Sequence, residues 1–230
     1  MRNFRKYKKP RSVLIVKPHR VDNQVDERVD KFIMKAFQRG IAEYMPIGSK
    51  TPDLPRNIAI DEFLHSSRFR DKAHIFFLDA DTEPVNDYCI ERLLGYNKDV
   101  IAGITPIWRT KTDTVSCMWS AIVKNKQSGG FENVGIDELP KKLFKADRTG
   151  GTTLLVSRKA LSELKPPYQQ THYNKDWTNV DLSEDFDFCD KLHAAGFDIW
   201  IDPNEVCHHY HLLDILDVFE AYRKALKLGA

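Results

Sequence analysis

Apolar residues fall along the chain in short unbroken runs separated by stretches of helical spacing, and that alternation predicts the architecture. Val13, Leu14, Ile15 and Val16 form a continuous, β-branched-rich run, the pattern of a strand covered on both faces of a parallel sheet. Behind it Val25, Val29, Phe32, Ile33, Ala36 and Phe37 recur at helical spacing as far as Gly40, a residue suited to the left-handed position after a helix end. Residues 41–47 predict a second strand, and residues 56–69 a second helix with Ile58, Ile60, Phe63 and Leu64 as its apolar positions. A third strand follows over residues 74–78, then a helix around residues 87–96 and a strand over residues 100–104. Up to about residue 105 the chain therefore reads as a βαβαβαβ half of a doubly wound sheet.

The remainder is less regular. Residues 115–123 and 152–157 predict strands, and the polar, glycine-bearing stretch between them predicts a loop or a small β excursion. Residues 165–182 hold two prolines and no periodicity, and a loop of this length inside a compact domain is usually functional. Ser183 is placed to cap a helix that runs to Ala195 and stops at Gly196. Two strands, FDIWID and EVCHHYH, and an amphipathic helix over residues 212–228 complete the expectation.

Composition narrows the class. With 230 residues, 42% of them hydrophobic, and a formal charge of +2, the chain suits one globular domain and excludes a disordered one. No apolar run approaches the ~18 residues of a membrane span, and no signal-peptide pattern follows the basic start, so the expected location is a cytoplasm. Cys89, Cys117, Cys189 and Cys207 are widely spaced without a C-x-x-C pair, which points away from a zinc ribbon or a disulfide framework. Residues 2–11 carry six Lys or Arg and no acid. This basic arm, residues 1–11, is either a solvated chain end or a contact for phosphate.

Candidate chemistry lies at three places. Asp79-Ala80-Asp81 ends the apolar strand HIFFL, and ligands of open α/β sheets gather at the carboxyl ends of strands. Two carboxylates so spaced can present oxygens to a divalent cation on a diphosphate, or can simply form an acidic turn. Asp185-Phe186-Asp187 repeats the spacing. Glu184 and Asp185 follow Ser183, where acids suit the helix macrodipole but could also supply a general base. In His208-His209-Tyr210-His211 an extended backbone would put His209 and His211 on one face, as surface groups or as transition-metal ligands. Gly150 and Gly151 before TTLLV, and Arg56 with Asn57 opening a helix, are further places where a ligand could approach.

Taken in order, these features resemble the GT-A fold nucleotide-sugar glycosyltransferases, especially family 2-like enzymes. The likeness covers about residues 12–211 and is carried by VLIVKP, PRNIAIDEFL, HIFFLDADTEP, RTGGTTLLVSRKAL, LSEDFDFCDKLHAAGFDIWIDP and EVCHH. It implies a single GT-A domain over residues 12–230, α/β in class, with a Rossmann-like, mostly parallel central sheet flanked by helices and a smaller antiparallel acceptor-side part. The nucleotide-binding half would span about residues 12–105 and the acceptor and catalytic half about residues 106–230.

Position by position, the resemblance implies that Asp81 binds the metal, that Asp79 aids through the ribose or the metal, and that His209, or else His211, completes the metal site. Asp185 would be the general base of an inverting reaction, and Glu184 would hold acceptor or donor hydroxyls. Arg56 and Asn57 would lie near the base or diphosphate, Pro18 and His19 near the base, and Gly150 and Gly151 would border the donor. The implied cofactors are Mn2+ (or Mg2+) and a nucleotide-sugar donor, UDP-linked. The acceptor could be a glycan, a small molecule or a hydroxylated base in phage DNA. Tyr168, Tyr173 and Trp177 of the long loop would close over the donor or stack on an acceptor. A nucleotidyltransferase and a non-catalytic sugar-nucleotide binding protein are the rival classes, although neither G-x-x-x-x-G-K-[ST] nor G-x-G-x-x-G occurs.

Overall fold

The computed structural model describes residues 12–20, 27–49, 51, 53–111, 114–125 and 127–210. The basic arm over residues 1–11, Val25, His211 and the expected helix over residues 212–228 lie outside the described residues. The first half holds β1 (Val13–Arg20), α1 (Glu27–Gln38), β2 (Ala42–Ser49), α2 (Asp53–His65), β3 (His74–Leu78), β4 (Thr82–Pro84), α3 (Cys89–Gly95) and β5 (Val100–Ile104). There follow β6 (Pro106–Lys111), β7 (Thr114–Lys124), β8 (Phe131–Gly135), β9 (Phe144–Ala146), β10 (Thr153–Ser157) and α4 (Arg158–Ser162). The last elements are β11 (His172–Tyr173), β12 (Val180–Leu182), α5 (Glu184–Ala194) and β13 (Ile199–His209).

The central sheet has the order β2-β1-β3-β10-β5-β13-β4, with β9 also paired to β13. β1 pairs in parallel with β2 and β3, and β5 with β13, whereas β10 runs antiparallel to both its neighbours, β3 and β5. The continuous apolar runs are explained by burial on both faces. Val13, Ile15, Phe76 and Leu78 pack with Phe32 and Ile33 of α1 and Leu93 of α3. The alternate residues Leu14, Val16, Ile75 and Phe77 pack on the other face with Phe63 of α2 and Phe188 of α5. Helix α1 ends as its sequence predicts, with Gly40 at φ +69° and Ile41 N–H donating to the Ala36 carbonyl at 3.2 Å. A separate antiparallel sheet, β6-β7-β8, and the small hairpin β11-β12 stand beside the main sheet.

Several expectations are corrected. The simple βαβαβαβ order is interrupted because β10, from the later part of the chain, sits between β3 and β5. FDIWID and EVCHHYH belong to one strand, β13, whose register shifts between Ile201 and Val206. The displaced residues Asp202 and Glu205 are buried against Arg92, at 2.8 and 3.1 Å. Gly103 accommodates this detour, since a Cβ there would lie 2.6 Å from the Glu205 carbonyl oxygen. Helix α2 starts at Asp53 and stops at His65, and a short 3-10 turn over Ser67–Phe69 follows, capped by the Ser66 side chain. Its buried face is Pro55, Arg56, Ala59, Ile60 and Phe63, while Ile58 is 43% exposed. A buried arginine had displaced the apolar pattern by part of a turn. Phe37 is likewise 41% exposed, because Ala36 takes the inward position beside it. Ser183 occupies the N-cap of α5, but its hydroxyl makes no capping bond. The strands β6, β9, β11 and β12 are too short or too polar to have been read from the pattern.

Candidate active site

The carboxyl end of β3, the segment entering β10, the first turn of α2 and the first turn of α5 converge at one edge of the central sheet. Their meeting point is Arg56. Its side chain is only 6% exposed. One guanidinium nitrogen donates to Asp79 Oδ1 at 2.7 Å, and the other donates to Asp185 Oδ1 and lies 3.5 Å from Glu184 Oε1. Burial works against the charge of Arg56, but the three carboxylates outweigh it and hold its pKa above the ordinary value. The Nε atom of Arg56 is buried without a hydrogen-bond partner.

Asp185 is tuned by the same cluster. Burial pushes its carboxyl up to about 6, Arg56 opposes the rise, Asp79 and Glu184 add to it, and a hydrogen bond from the Gly151 backbone lowers it. Gly151 is a glycine for a steric reason: a Cβ at this position would lie 2.7 Å from Asp185 Oδ1 and 2.8 Å from Arg56 Nη2. Glu184 accepts a hydrogen bond from Thr171 Oγ1 at 3.3 Å.

Asp81 and His209 form the second part of the site. Pairing of β13 with β4 sets His209 opposite Thr82, and the Tyr210 N–H donates to the Asp81 carbonyl at 2.8 Å. His209 Nε2 then faces Asp81 Oδ2 at 3.7 Å, while Nδ1 lies 3.0 Å from the Pro106 carbonyl oxygen. An Nδ1–H donated to that carbonyl leaves the Nε2 lone pair directed at the carboxylate, the orienting arrangement typical of a metal-ligating histidine. Burial lowers the histidine pKa, but the Asp81 carboxylate, the Pro106 carbonyl and Asp79 raise it further, and the net shift is upward. Among the described residues no three His, Cys, Asp or Glu side chains close into a metal site. Asp79 is turned toward Arg56 instead. A carboxylate suits Mg2+ or Mn2+ and an imidazole suits a transition metal, so the facing pair fits Mn2+ better than Mg2+, with the other ligands drawn from a bound substrate and water.

A cavity of about 210 Å³ opens between the two parts. It is lined by Asp185, Phe186 and His209, by Ile107 and Ser120 of the antiparallel sheet, and by Thr152. It is smaller than the ~300 Å³ typical of whole drug-sized ligands and is on the scale of one sugar ring. Gly150 also borders it.

The remaining expected residues are placed as follows. Pro18 and His19 lie at the carboxyl end of β1, the edge that holds the site. Asn57 is engaged away from the cluster, its amide nitrogen donating to the Asp53 and Gln169 carbonyls at 2.9 and 2.7 Å, and its oxygen accepting from Gln169 N at 3.1 Å. It fastens the long loop to α2. Tyr168 is buried at 2% exposure with its hydroxyl on Asp61, so it is not free to stack on a ligand. Thr105, Ser120 and Phe186 were not anticipated as site residues: the strand that holds Ser120 was expected, but its place beside the cavity is set by long-range packing. Arg56 was legible only as part of an Arg-Asn pair, and its position at the centre of three carboxylates was not.

No family model matches the chain, and its sequence matches no curated protein. Solved structures do match its fold. The protein "A197 from STIV" shares 17% identity with a TM-score of 0.54, covering 88% of this chain and 86% of that one. GalNAc-T7, solved with UDP, GalNAc and Mn2+, shares 11% identity with a TM-score of 0.51, covering 90% of this chain and 45% of that one. The Drosophila β1,4-galactosyltransferase 7 catalytic domain, in complex with xylobiose, has a TM-score of 0.44 at 12% identity, covering 88% and 71%. The fold is GT-A-like: a mostly parallel sheet flanked by helices, with a small antiparallel sheet at its side. No helix among the described residues is long and apolar enough to cross a membrane.

Proposed function

We propose that this chain is a nucleotide-sugar glycosyltransferase that moves a sugar from a UDP-linked donor to an acceptor hydroxyl with inversion. One observation carries the reading: in a GT-A-like fold, His209, which is paired with Asp81, and Asp185, which is held by Arg56, line the same cavity. That GalNAc-T7, a protein of similar fold, was crystallised with UDP, GalNAc and Mn2+ supports the donor and metal classes.

Asp81 and His209 would hold Mn2+ (or Mg2+), which when bound supplies Lewis-acid neutralisation of the departing diphosphate. Asp79 would bind the ribose or share the metal. Pro18 and His19 would border the base, and Gly150 and Gly151 would let the donor approach the backbone. Asp185, ionised above about pH 6, accepts the proton of the acceptor hydroxyl as its oxygen bonds to the anomeric carbon. The bond from that carbon to the diphosphate breaks and its electron pair leaves with the nucleoside diphosphate. Attack from the face opposite the leaving group inverts the centre. Glu184 orients hydroxyls, and Arg56 limits the rise in the Asp185 pKa so that the base is ionised near neutral pH.

A hydrolysis screen of nucleotide sugars with Mn2+ tests this reading. Release of free sugar and UDP by the wild-type chain, and its loss in Asp81→Asn, is the expected result. Calorimetric binding without turnover would indicate a non-catalytic binding protein, and pyrophosphate release from a nucleoside triphosphate and a sugar 1-phosphate, offered in a separate reaction, would indicate a nucleotidyltransferase. The version in which the acceptor is a hydroxymethylated DNA base rests on the basic residues 2–11, outside the described residues.

A further inference from the structure

The most exposed large apolar side chain among the described residues is Trp177, at 77%. It sits at the tip of the β11-β12 hairpin and stacks on Tyr173, with ring centroids 5.2 Å apart and planes 22° from parallel. Tyr173 is itself 48% exposed. Trp177 has φ +57°, a left-handed conformation that a bulky side chain rarely adopts without a reason in the surrounding structure. That conformation is enforced locally. Asn174 Oδ1 accepts hydrogen bonds from Thr178 N and Asn179 N at 2.9 and 3.2 Å, and Trp177 N donates to the Asn174 carbonyl at 3.0 Å. The turn therefore holds an indole outward rather than letting it fold back.

The hairpin is also tied to the reaction centre. Thr171 reaches Glu184 at 3.3 Å, the His172 ring lies 3.0 Å from Asp187, and the strand β12 runs directly into Ser183 and Asp185. The two rings and the proposed base thus belong to one continuous segment, residues 171–185, fastened at Thr171 and His172 to the first turn of α5. Charge decides what that molecule is. Residues 171–182 carry Lys175 against Asp176 and Asp181, and His172 is occupied by Asp187. Surfaces that stack the bases of single-stranded nucleic acids combine their aromatic rings with a cationic groove, and this hairpin supplies no cationic excess. What surrounds the rings is neutral and polar: Asn174, Thr178 and Asn179. An aromatic face bordered by neutral amides and hydroxyls suits the apolar C–H face of a pyranose, whose hydroxyls point to the rim and whose C–H groups meet the electron-rich ring.

We infer that Tyr173 and Trp177 form a binding platform for an uncharged saccharide chain, which is the acceptor of the transfer proposed above. The inference rests on that reading for the word acceptor, but the saccharide site is testable without it. The full chain is titrated with tetraoses of glucose, N-acetylglucosamine, mannose and xylose, and separately with a single-stranded dodecanucleotide. Heat of binding in calorimetry is the readout for every variant, and protection of tryptophan fluorescence from acrylamide is a second readout in the wild-type chain. At least one tetraose is expected to protect, with the dodecanucleotide ineffective. Trp177→Ala, Trp177→Gly and Tyr173→Ala are each expected to weaken that binding about ten-fold, the scale of one aromatic contact.

Trp177→Gly separates recognition from structure. Glycine adopts this backbone freely, which offsets part of the lost stacking on Tyr173, so the variant should remain folded while saccharide binding falls. The inference is overturned if no tetraose binds at millimolar concentration, if the dodecanucleotide binds instead, or if the folded variants bind a tetraose as tightly as the wild type. A wild-type chain that binds a tetraose but neither binds nor hydrolyses any sugar nucleotide would remove the transferase reading and leave the platform standing.

Discussion

Replacing Arg56 by glutamine is the most informative perturbation of the site. The guanidinium faces Asp79, Glu184 and Asp185, whose side chains are 26%, 14% and 23% exposed. Without it three carboxylates share one edge of the sheet and nothing on α2 neutralises them. Removing one partner of a buried ion pair costs about 3–5 kcal/mol, and because these carboxylates keep some contact with water the expected loss is about 3 kcal/mol. For a domain of this size that lowers the melting temperature by about 6–12 °C, at ~2–4 °C per kcal/mol.

The loss must depend on pH in a definite sense. Asp185 already has a folded value of about 6, above the ~3.9 of an unfolded aspartate. Arg56 is what restrains it, so the variant carries a still higher value. A carboxyl whose folded pKa is raised contributes stability below its unfolded value and loses it as pH rises through the folded value. The deficit of Arg56→Gln relative to wild type should be small near pH 4, grow as pH passes 6, and be largest near pH 8. Thermal and urea melts of both proteins at pH 4, 5, 6, 7 and 8 measure it. In the transfer reaction the acidic limb of the rate profile, centred near pH 6 in wild type, should move to higher pH in the variant. An equal deficit at pH 5 and pH 8 would refute the electrostatic reasoning and assign the effect to packing alone.

Other outcomes follow from the same geometry. Asp81→Asn should abolish metal-dependent donor turnover without unfolding the protein, since the residue lies in a turn and its side chain is 42% exposed; a folded, fully active variant would remove Asp81 from the metal site. His209→Ala should weaken Mn2+ binding measured by electron paramagnetic resonance, whatever the acceptor. Asp185→Asn should lower transfer by about 10²–10⁴, the usual share of a general base, with donor affinity little changed in calorimetry. Gly151→Ala should fold, because the atoms its Cβ meets are the mobile ends of Asp185 and Arg56, yet slow transfer by displacing the base; a kcat equal to wild type would show that the crowding is relieved without moving Asp185.

Much of the sheet was legible because the parallel strands are apolar on both faces. His74–Leu78 and Val100–Ile104 match their predicted bounds, since an unbroken run of four or five apolar residues between polar punctuation has few alternatives. Strand order was not legible. Nothing local to residues 153–157 says that they insert between β3 and β5, a choice made by long-range packing. The outward turn of Ile58 had a different cause: the inward face of α2 was reserved for a charged residue, which hydropathy counts as solvent-facing. At the site, Asp79, Asp81, Glu184 and Asp185 could be singled out from their place at a strand end and a helix start. The aromatic hairpin gave only an aperiodic loop containing Tyr168, Tyr173 and Trp177, and sequence could not say which ring is buried and which two are presented.

The antiparallel strand in the middle of the sheet bears on how the chain reaches this state during synthesis. β3 and β5 are complete by Ile104, but the strand that joins them ends at Ser157. Until it emerges from the ribosome, β3 exposes one edge of unpaired N–H and C=O groups and β5, whose other neighbour β13 comes later still, exposes both, each a template for pairing with another chain. A fragment ending near residue 105 should accordingly aggregate or remain bound to chaperones, and the order of assembly requires β10 to be threaded between two strands that are already made. Such an insertion couples distant parts of the sequence and favours slow folding. It also means that Asp79, whose N–H donates to the Thr152 carbonyl at 3.3 Å, gains its final orientation only after most of the chain has been translated.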